Sequence, residues 1–160
     1  MRQDLPGIKG GQSLMEENAF QQEFQVKGRD FTRAGKVSYA IKNLLKEIGL
    51  SDAVVFRAAI ASYEAEMNVI MYAWQGRVDL AVTPHHIQII VEDNGPGIED
   101  IALAMKEGYS TATPEMRELG FGAGMGLPNI KKNSDSFRIT SEPGRGTRLE
   151  MTVLVNGRRP

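Results

Sequence analysis

The stretch at residues 89–101, IIVEDNGPGIEDI, decides how the rest of the sequence is interpreted. Its apolar start predicts a buried strand, which ends abruptly in the turn-forming sequence DNGPG at 93–97. A turn is one explanation of this change. The other is a binding site, because a carboxylate at a strand end can accept a hydrogen bond from an exocyclic amine, and glycines let a flat ring approach the backbone. The choice depends on the other motifs of the chain.

The overall composition predicts one globular domain with its own core. The chain has 160 residues, of which 41% are hydrophobic and 24% are charged. A net charge of −1 argues against a nucleic-acid binder that relies on attraction to phosphates. The absence of cysteine excludes disulfides, thiolate zinc sites and cysteine nucleophiles, and it favours a cytoplasmic protein. Neither a signal peptide nor a membrane span is expected, because the apolar runs are too short.

The periodicity of apolar residues predicts an α/β (α+β) two-layer sandwich, with helices on one face of a mixed, mostly antiparallel sheet. Residues 1–18 are expected to form a flexible lead-in to a single domain at 19–157. The predicted helices lie at 37–48, 53–74, 99–106 and 127–134, and the predicted strands at 20–26, 78–83, 86–93, 136–141 and 147–155. The glycine-rich segment 108–126 is left without predicted structure, and a loop of that length in a compact domain is typical of a lid.

The predicted helix 53–74 contains the sequence YEAEMNVI. Glu64 and Asn68 are four residues apart, so they share one helical face. A solvated polar face is the common explanation of such a pair. The functional explanation is a carboxylate that handles a proton beside an amide oxygen that binds a hard cation such as Mg²⁺. Glu66 is expected to point elsewhere, to the surface or side of the helix.

Two further glycine motifs follow. The sequence GFGAGMGLPNI places four glycines at alternate positions, 120 to 126, before a predicted helix. Such backbone followed by a helix N-terminus can cradle phosphate, although a flexible loop has the same composition. Its spacing matches neither the Walker A loop nor the dinucleotide fingerprint. The sequence EPGRGT at 142–147 by itself predicts a hairpin turn.

Together the motifs occur in the order E-x-x-x-N, D-x-G-x-G, G-x-G-x-G and G-x-G-T. This order resembles the N box and the three glycine boxes of the GHKL superfamily of ATPases and kinases, which includes gyrase, histidine kinases and MutL. Within it, EPGRGT and the segment GYSTATPEMRELGFGAGMGLPNIKKNSDSF are similar to the small serine/threonine kinases of the RsbT and anti-sigma-factor type. The resemblance covers residues 20–155. It implies a Bergerat (histidine-kinase-like ATPase) fold that uses ATP and Mg²⁺.

The resemblance also implies a role for individual residues. Glu64 would be the general base, Asn68 the Mg²⁺ ligand, and Asp93 the acceptor for the adenine amino group. The remaining implied positions surround the nucleotide, either at the base or at the phosphates: Gly95, Gly97, Thr147, Gly122, Gly124, Gly126 and Leu127. In addition, Arg117 of the lid at 108–126 would reach the γ-phosphate.

The implied function is transfer of the γ-phosphoryl group of Mg·ATP to a serine or threonine of a small regulatory protein of the anti-anti-sigma type. The main alternative is an ATP-dependent anti-sigma factor or regulatory module that sequesters a partner, such as a sigma factor, without phosphorylating it. A histidine kinase domain and a simple ATP hydrolase are further alternatives. No nucleic-acid or membrane partner is expected, and the sequence leaves a homodimer open.

Overall fold

The computed structural model describes residues 19–156, so the predicted lead-in at 1–18 lies outside the described residues. The strands are β1 (Phe20–Lys27), β2 (Gln75–Val82), β3 (His86–Asp93), β4 (Ser136–Glu142) and β5 (Gly146–Leu154). The helices are α1 (Lys36–Ile48), α2 (Asp52–Tyr72), α3 (Ile101–Ala104), α4 (Pro114–Glu118) and α5 (Gly126–Asn133). Within these residues, none of the helices is long and apolar enough to cross a membrane.

The strands form one sheet in the order β1-β2-β3-β5-β4. Each pair of neighbours is antiparallel, so the described sheet contains no parallel pairing of the kind a mixed sheet would have. Alternate residues of the central strands are buried against the helices, as in Val78 and Leu80, Ile87 and Ile89. The predicted two-layer sandwich is therefore confirmed, with a sheet that is covered on one face.

The uncovered face of the sheet is polar. Arg77 contacts Asp79 and Glu92, and Arg148 contacts Glu92 and Glu150. These side chains alternate with the buried ones along the same strands, which is the pattern of a sheet that faces water on one side. The helical layer therefore lies on the opposite face.

Helix α2 runs through the centre of the helical layer. The side chain of Ser51 accepts a hydrogen bond from the Val54 backbone N–H at 3.4 Å and so caps its first turn. The helix ends at Tyr72, two residues before the predicted end at Trp74. Beyond Tyr72 the chain turns into β2, where Gly76 lies close to Val69 of the same helix. No side chain would fit between them at that position.

The expectation that Glu66 lies at the surface is wrong, because its side chain is only 1% exposed. Its carboxylate accepts hydrogen bonds from the backbone N–H groups of Gly35, Val37 and Ser38, at 3.1, 3.2 and 2.9 Å. Those groups form the N-terminus of α1, whose capping residue Gly35 has no side chain to satisfy them. The negative charge also complements the helix dipole there. Glu66 thus fastens α1 to α2.

The segment 108–126 is more ordered than the sequence predicts, because it contains the short helix α4. Thr113 caps this helix by accepting from the Met116 N–H at 3.2 Å. The side chain of Met116 belongs to the hydrophobic core. The ring of Phe121 stacks on that of Phe31, with centroids 5.4 Å apart. The segment is therefore attached to the domain at two apolar points.

Candidate nucleotide-binding site

A cavity of about 660 Å³ lies between α2, the end of β3, the 108–126 segment and the start of α5. Most of the residues singled out in the sequence line it, although they come from four separate motifs: Glu64, Asn68, Asp93, Gly97, Gly122, Gly124, Gly126, Leu127 and Thr147. Gly95 and Arg117 are not among the residues that line the cavity. The fold therefore brings the four motifs to one place.

Asp93 lies at one end of the cavity, as the last residue of β3. It pairs in register with Thr147 of the neighbouring strand β5. Its Oδ1 atom accepts a hydrogen bond from the Gly95 N–H at 2.9 Å. Burial raises the pKa of the Asp93 carboxyl, while hydrogen bonds from the backbone of Gly95 and Thr147 act in the opposite direction. Gly95 thus holds the carboxylate through its backbone N–H and does not itself line the cavity.

The loop after Asp93 is tied to the β4–β5 turn by a residue that sequence reasoning missed. The Ser141 hydroxyl accepts from the Ile98 N–H at 2.8 Å and lies 2.9 Å from the Thr147 hydroxyl. The Gly144 N–H donates to the Pro96 carbonyl at 2.7 Å. No single-sequence pattern pairs a serine at 141 with a loop more than forty residues earlier. This end of the cavity, which we name the Asp93 end, is therefore cross-linked by hydrogen bonds.

Gly97 shows how closely the two loops approach. Its φ of +78° lies in the left-handed region, and an added Cβ would be 2.3 Å from the carbonyl oxygen of Glu142. Only glycine meets both requirements. The D-x-G-x-G spacing thus reflects backbone packing as well as access to the cavity.

Glu64 and Asn68 border the cavity from α2. They precede Tyr72, whose carbonyl lies beside Gly95 at the Asp93 end, by about two turns and one turn of the helix. A Cβ added to Gly126, the first residue of α5, would be 3.3 Å from Glu64 Oε2 and 3.6 Å from Asn68 Oδ1. The two side-chain oxygens therefore face the same spot beside a helix N-terminus. Asn129 of α5 donates from Nδ2 to Glu64 Oε1 at 3.3 Å. Burial raises the pKa of Glu64, and this hydrogen bond partly opposes the rise.

The glycines of the 108–126 segment permit close backbone contacts. The Gly108 N–H donates to the Gly124 carbonyl at 2.8 Å, and a Cβ on Gly124 would be 2.4 Å from the Gly108 carbonyl carbon. Gly122 also has a positive φ, and its Cβ would meet the side chain of Ala112 at 2.2 Å. Arg117, by contrast, is exposed on α4. A contact between Arg117 and a γ-phosphate stays a prediction.

The fold and the cavity define an ATP-binding domain of the kind that the motif order predicts. The family model described as histidine kinase-, DNA gyrase B- and HSP90-like ATPase matches residues 37–157. The chain belongs to this family, and the predicted membership of the GHKL superfamily is confirmed.

The chain is also similar to individual proteins of known type. It is 33% identical over 113 residues to the serine/threonine-protein kinase RsbT of Bacillus subtilis (strain 168), a match that covers 68% of this chain and 79% of RsbT. It is 34% identical over 98 residues to the anti-sigma F factor of Clostridium kluyveri, covering 58% of this chain and 66% of that protein. A chain in the crystal structure of the SiaB–SiaC complex from Pseudomonas aeruginosa shares the fold, with a TM-score of 0.52 at 13% identity over 84% of this chain and 89% of that one.

Proposed function

We propose that this protein is a serine/threonine kinase that transfers the γ-phosphoryl group of Mg·ATP to a hydroxyl of a small regulatory protein in the cytoplasm. The observation that carries the proposal is the placement of Glu64 inside the cavity, beside the N-terminus of α5. A carboxylate there is well placed for proton transfer and poorly placed for binding an anion. The similarity to RsbT, a protein named as a serine/threonine kinase, supports the same conclusion.

In this proposal the Asp93 end receives the adenine base. The Asp93 carboxylate accepts a hydrogen bond from the exocyclic amine, and Thr147 assists from the neighbouring strand. Gly97 presents bare backbone to the ring, with Gly95 holding Asp93 in place. A half-buried carboxylate whose hydrogen bonds within the chain come from the backbone is suited to a ligand that brings an amine of its own.

The other end receives the phosphates. Backbone N–H groups at Gly122, Gly124, Gly126 and Leu127 are the donors, and the N-terminus of α5 adds its positive dipole end. The Asn68 amide oxygen would hold Mg²⁺, which usually takes few protein ligands in addition to phosphate oxygens and water. When bound, Mg²⁺ would neutralise charge on the phosphates. Arg117 is exposed and does not line the cavity, so in this proposal a movement of α4 brings it to the γ-phosphate.

The chemical step requires little covalent work from the protein. Glu64 takes the proton of the partner's serine or threonine hydroxyl as that oxygen forms a bond to the γ-phosphorus. The bond from the γ-phosphorus to the bridging oxygen breaks, and ADP leaves. Positioning and charge neutralisation supply most of the rate in such transfers.

The Glu64→Ala variant tests this proposal. Removal of a general base typically slows a reaction by about 10²–10⁴-fold. The variant should therefore lose phosphoryl transfer and bind ATP about as well as the parent, whereas Asn68→Ala should weaken Mg²⁺-dependent binding. The assay combines γ-labelled ATP with candidate small regulatory proteins, alongside ATP titrations on the same preparations. A parental transfer rate in Glu64→Ala would contradict the assignment of Glu64 as the base.

The similarity to the anti-sigma F factor of Clostridium kluyveri favours a second candidate. A protein of this type would bind a sigma factor in an ATP-dependent way and sequester it. If the parent protein labels no partner, yet retains a sigma factor only when ATP is present, sequestration replaces phosphorylation as its function.

A further inference from the structure

We infer that Asn129 is a positioning residue for phosphoryl transfer: it holds one oxygen of Glu64 so that the other faces the phosphates. This inference rests on the proposed role of Glu64 as the base. Asn129 lies in the stretch GFGAGMGLPNI, where the sequence predicts no role for it, and it lines the same cavity as Glu64.

The hydrogen bond between Asn129 and Glu64 can have only one direction. An ionised carboxylate can only accept, so the Asn129 amide must present its Nδ2–H group to Glu64 Oε1. The other oxygen, Oε2, is the atom that lies nearest to the Cβ position of Gly126, in the same direction as Asn68 Oδ1. Among residues 19–156, no other hydrogen bond reaches Glu64. Asn129 therefore determines which oxygen remains free for the incoming hydroxyl.

The backbone of Asn129 is held firmly. Its N–H donates to the Met125 carbonyl at 2.8 Å, and its carbonyl accepts from Asn133 Nδ2 at 2.9 Å. The adjacent residue Ile130 is completely buried. Gly126 and Asn129 lie in the first turn of the same helix. This helix therefore fixes the distance between the proposed phosphate-binding terminus and Asn129, which in turn holds Glu64.

The chemistry of asparagine suits this role. A neutral amide orients the carboxylate without cancelling its charge, whereas a lysine would form an ion pair that weakens the base, and an aspartate would repel it. A misplacement of about 1 Å in a catalytic group can cost on the order of 100-fold in rate. Loss of the amide should therefore lower kcat and leave nucleotide affinity unchanged.

The test uses the full chain with its partner and compares Asn129→Ala with Asn129→Gln, which keeps an amide donor. Lys131→Ala, an exposed change on the same helix, is the matched control. We expect Asn129→Ala to lower kcat by about 10- to 100-fold with unchanged KM for ATP and unchanged melting temperature. Asn129→Gln should recover part of the loss, and Lys131→Ala should behave like the parent.

A double-mutant cycle separates positioning from a structural role. In a Glu64→Gln background, Asn129→Ala should cause no further loss. An equal additional loss in that background, or a parental kcat in Asn129→Ala beside an inactive Glu64→Gln, would overturn this inference alone. A parental rate in Glu64→Gln itself would overturn the base assignment and this inference with it.

Discussion

The two ends of the cavity are built in different ways. The Asp93 end stands on paired strands, and hydrogen bonds such as Ile98 to Ser141 and Gly144 to Pro96 join its loops. The 108–126 end is attached by the buried side chain of Met116, the Phe121–Phe31 stack and the Gly108–Gly124 hydrogen bond. Recognition of a base requires a fixed acceptor, whereas a site that must admit a partner's hydroxyl has to open. From this comparison we expect the 108–126 segment, the proposed lid, to open more readily than the Asp93 end.

The largest predicted effect comes from alanine at matched glycines of the two ends. Gly97 and Gly120 have similar positive φ angles, +78° and +88°. A Cβ on Gly97 would meet the Glu142 backbone, whereas one on Gly120 would meet nothing within 4 Å. Gly120→Ala should therefore lower the free energy of unfolding by about 1 kcal/mol, the conformational cost alone, and Gly97→Ala by about 3 kcal/mol or more. Denaturant unfolding measures both. Equal losses of unfolding free energy in the two variants would mean that the Asp93 end is no more tightly packed than the 108–126 segment.

Asp93→Asn should have the next largest effect, on ATP affinity. Loss of a charge-assisted hydrogen bond costs roughly 1.5–3 kcal/mol, or about 10- to 100-fold in affinity. The stability of the ligand-free protein should not fall in the same way. Because burial raises the pKa of Asp93 in the folded protein, the stability linked to this group is present at low pH and is lost as the pH rises through that raised pKa.

At neutral pH, Asp93→Asn removes the cost of burying that charge. The melting temperature of the ligand-free variant should equal or exceed that of the parent at pH 7, and this advantage should disappear in acid. ATP titrations and thermal melts over a pH series provide the measurements. Unchanged ATP affinity would contradict the assignment of Asp93 as the acceptor for the adenine amino group.

The smallest effect is expected at the stack of Phe121 on Phe31, which attaches the 108–126 segment to the domain. An aromatic pair contributes about 0.5–1.5 kcal/mol beyond its area burial, so Phe121→Ala should raise the open population of the 108–126 segment by about 2- to 10-fold. Trypsin should cut after the exposed Arg117 faster in this variant, and an ATP analogue should slow the cut in the parent. Leu119→Ala, an exposed change in the same segment, is the control. Equal cleavage with and without nucleotide would argue against a lid.

The sequence predicts the layers of the fold and the main residues of the cavity. The two-layer fold follows from apolar periodicity, and the gathering of Glu64, Asn68 and Asp93 in one cavity follows from the resemblance to the GHKL superfamily that the motif order carries. Helix α4 is not predicted although Thr113 and Pro114 form a local start signal, because the glycines around it indicate a loop.

Other features could not be predicted from local patterns. Glu66 caps a helix that begins about thirty residues earlier, and Asn129 contacts a residue sixty-five positions away. Ser141 likewise acts across two loops. Each depends on which elements the fold places side by side, and helical periodicity assigns a residue to a face without naming what that face meets.

Hydrogen exchange of the protein with adenosine and with Mg·ATP tests the central claim most directly, since adenosine carries the base and the sugar but none of the phosphates. The account predicts that adenosine slows exchange at 93–98 and leaves 108–126 unchanged, while Mg·ATP slows exchange in both regions. Equal protection of 108–126 by adenosine and Mg·ATP, or no protection at 93–98 by either, would contradict it.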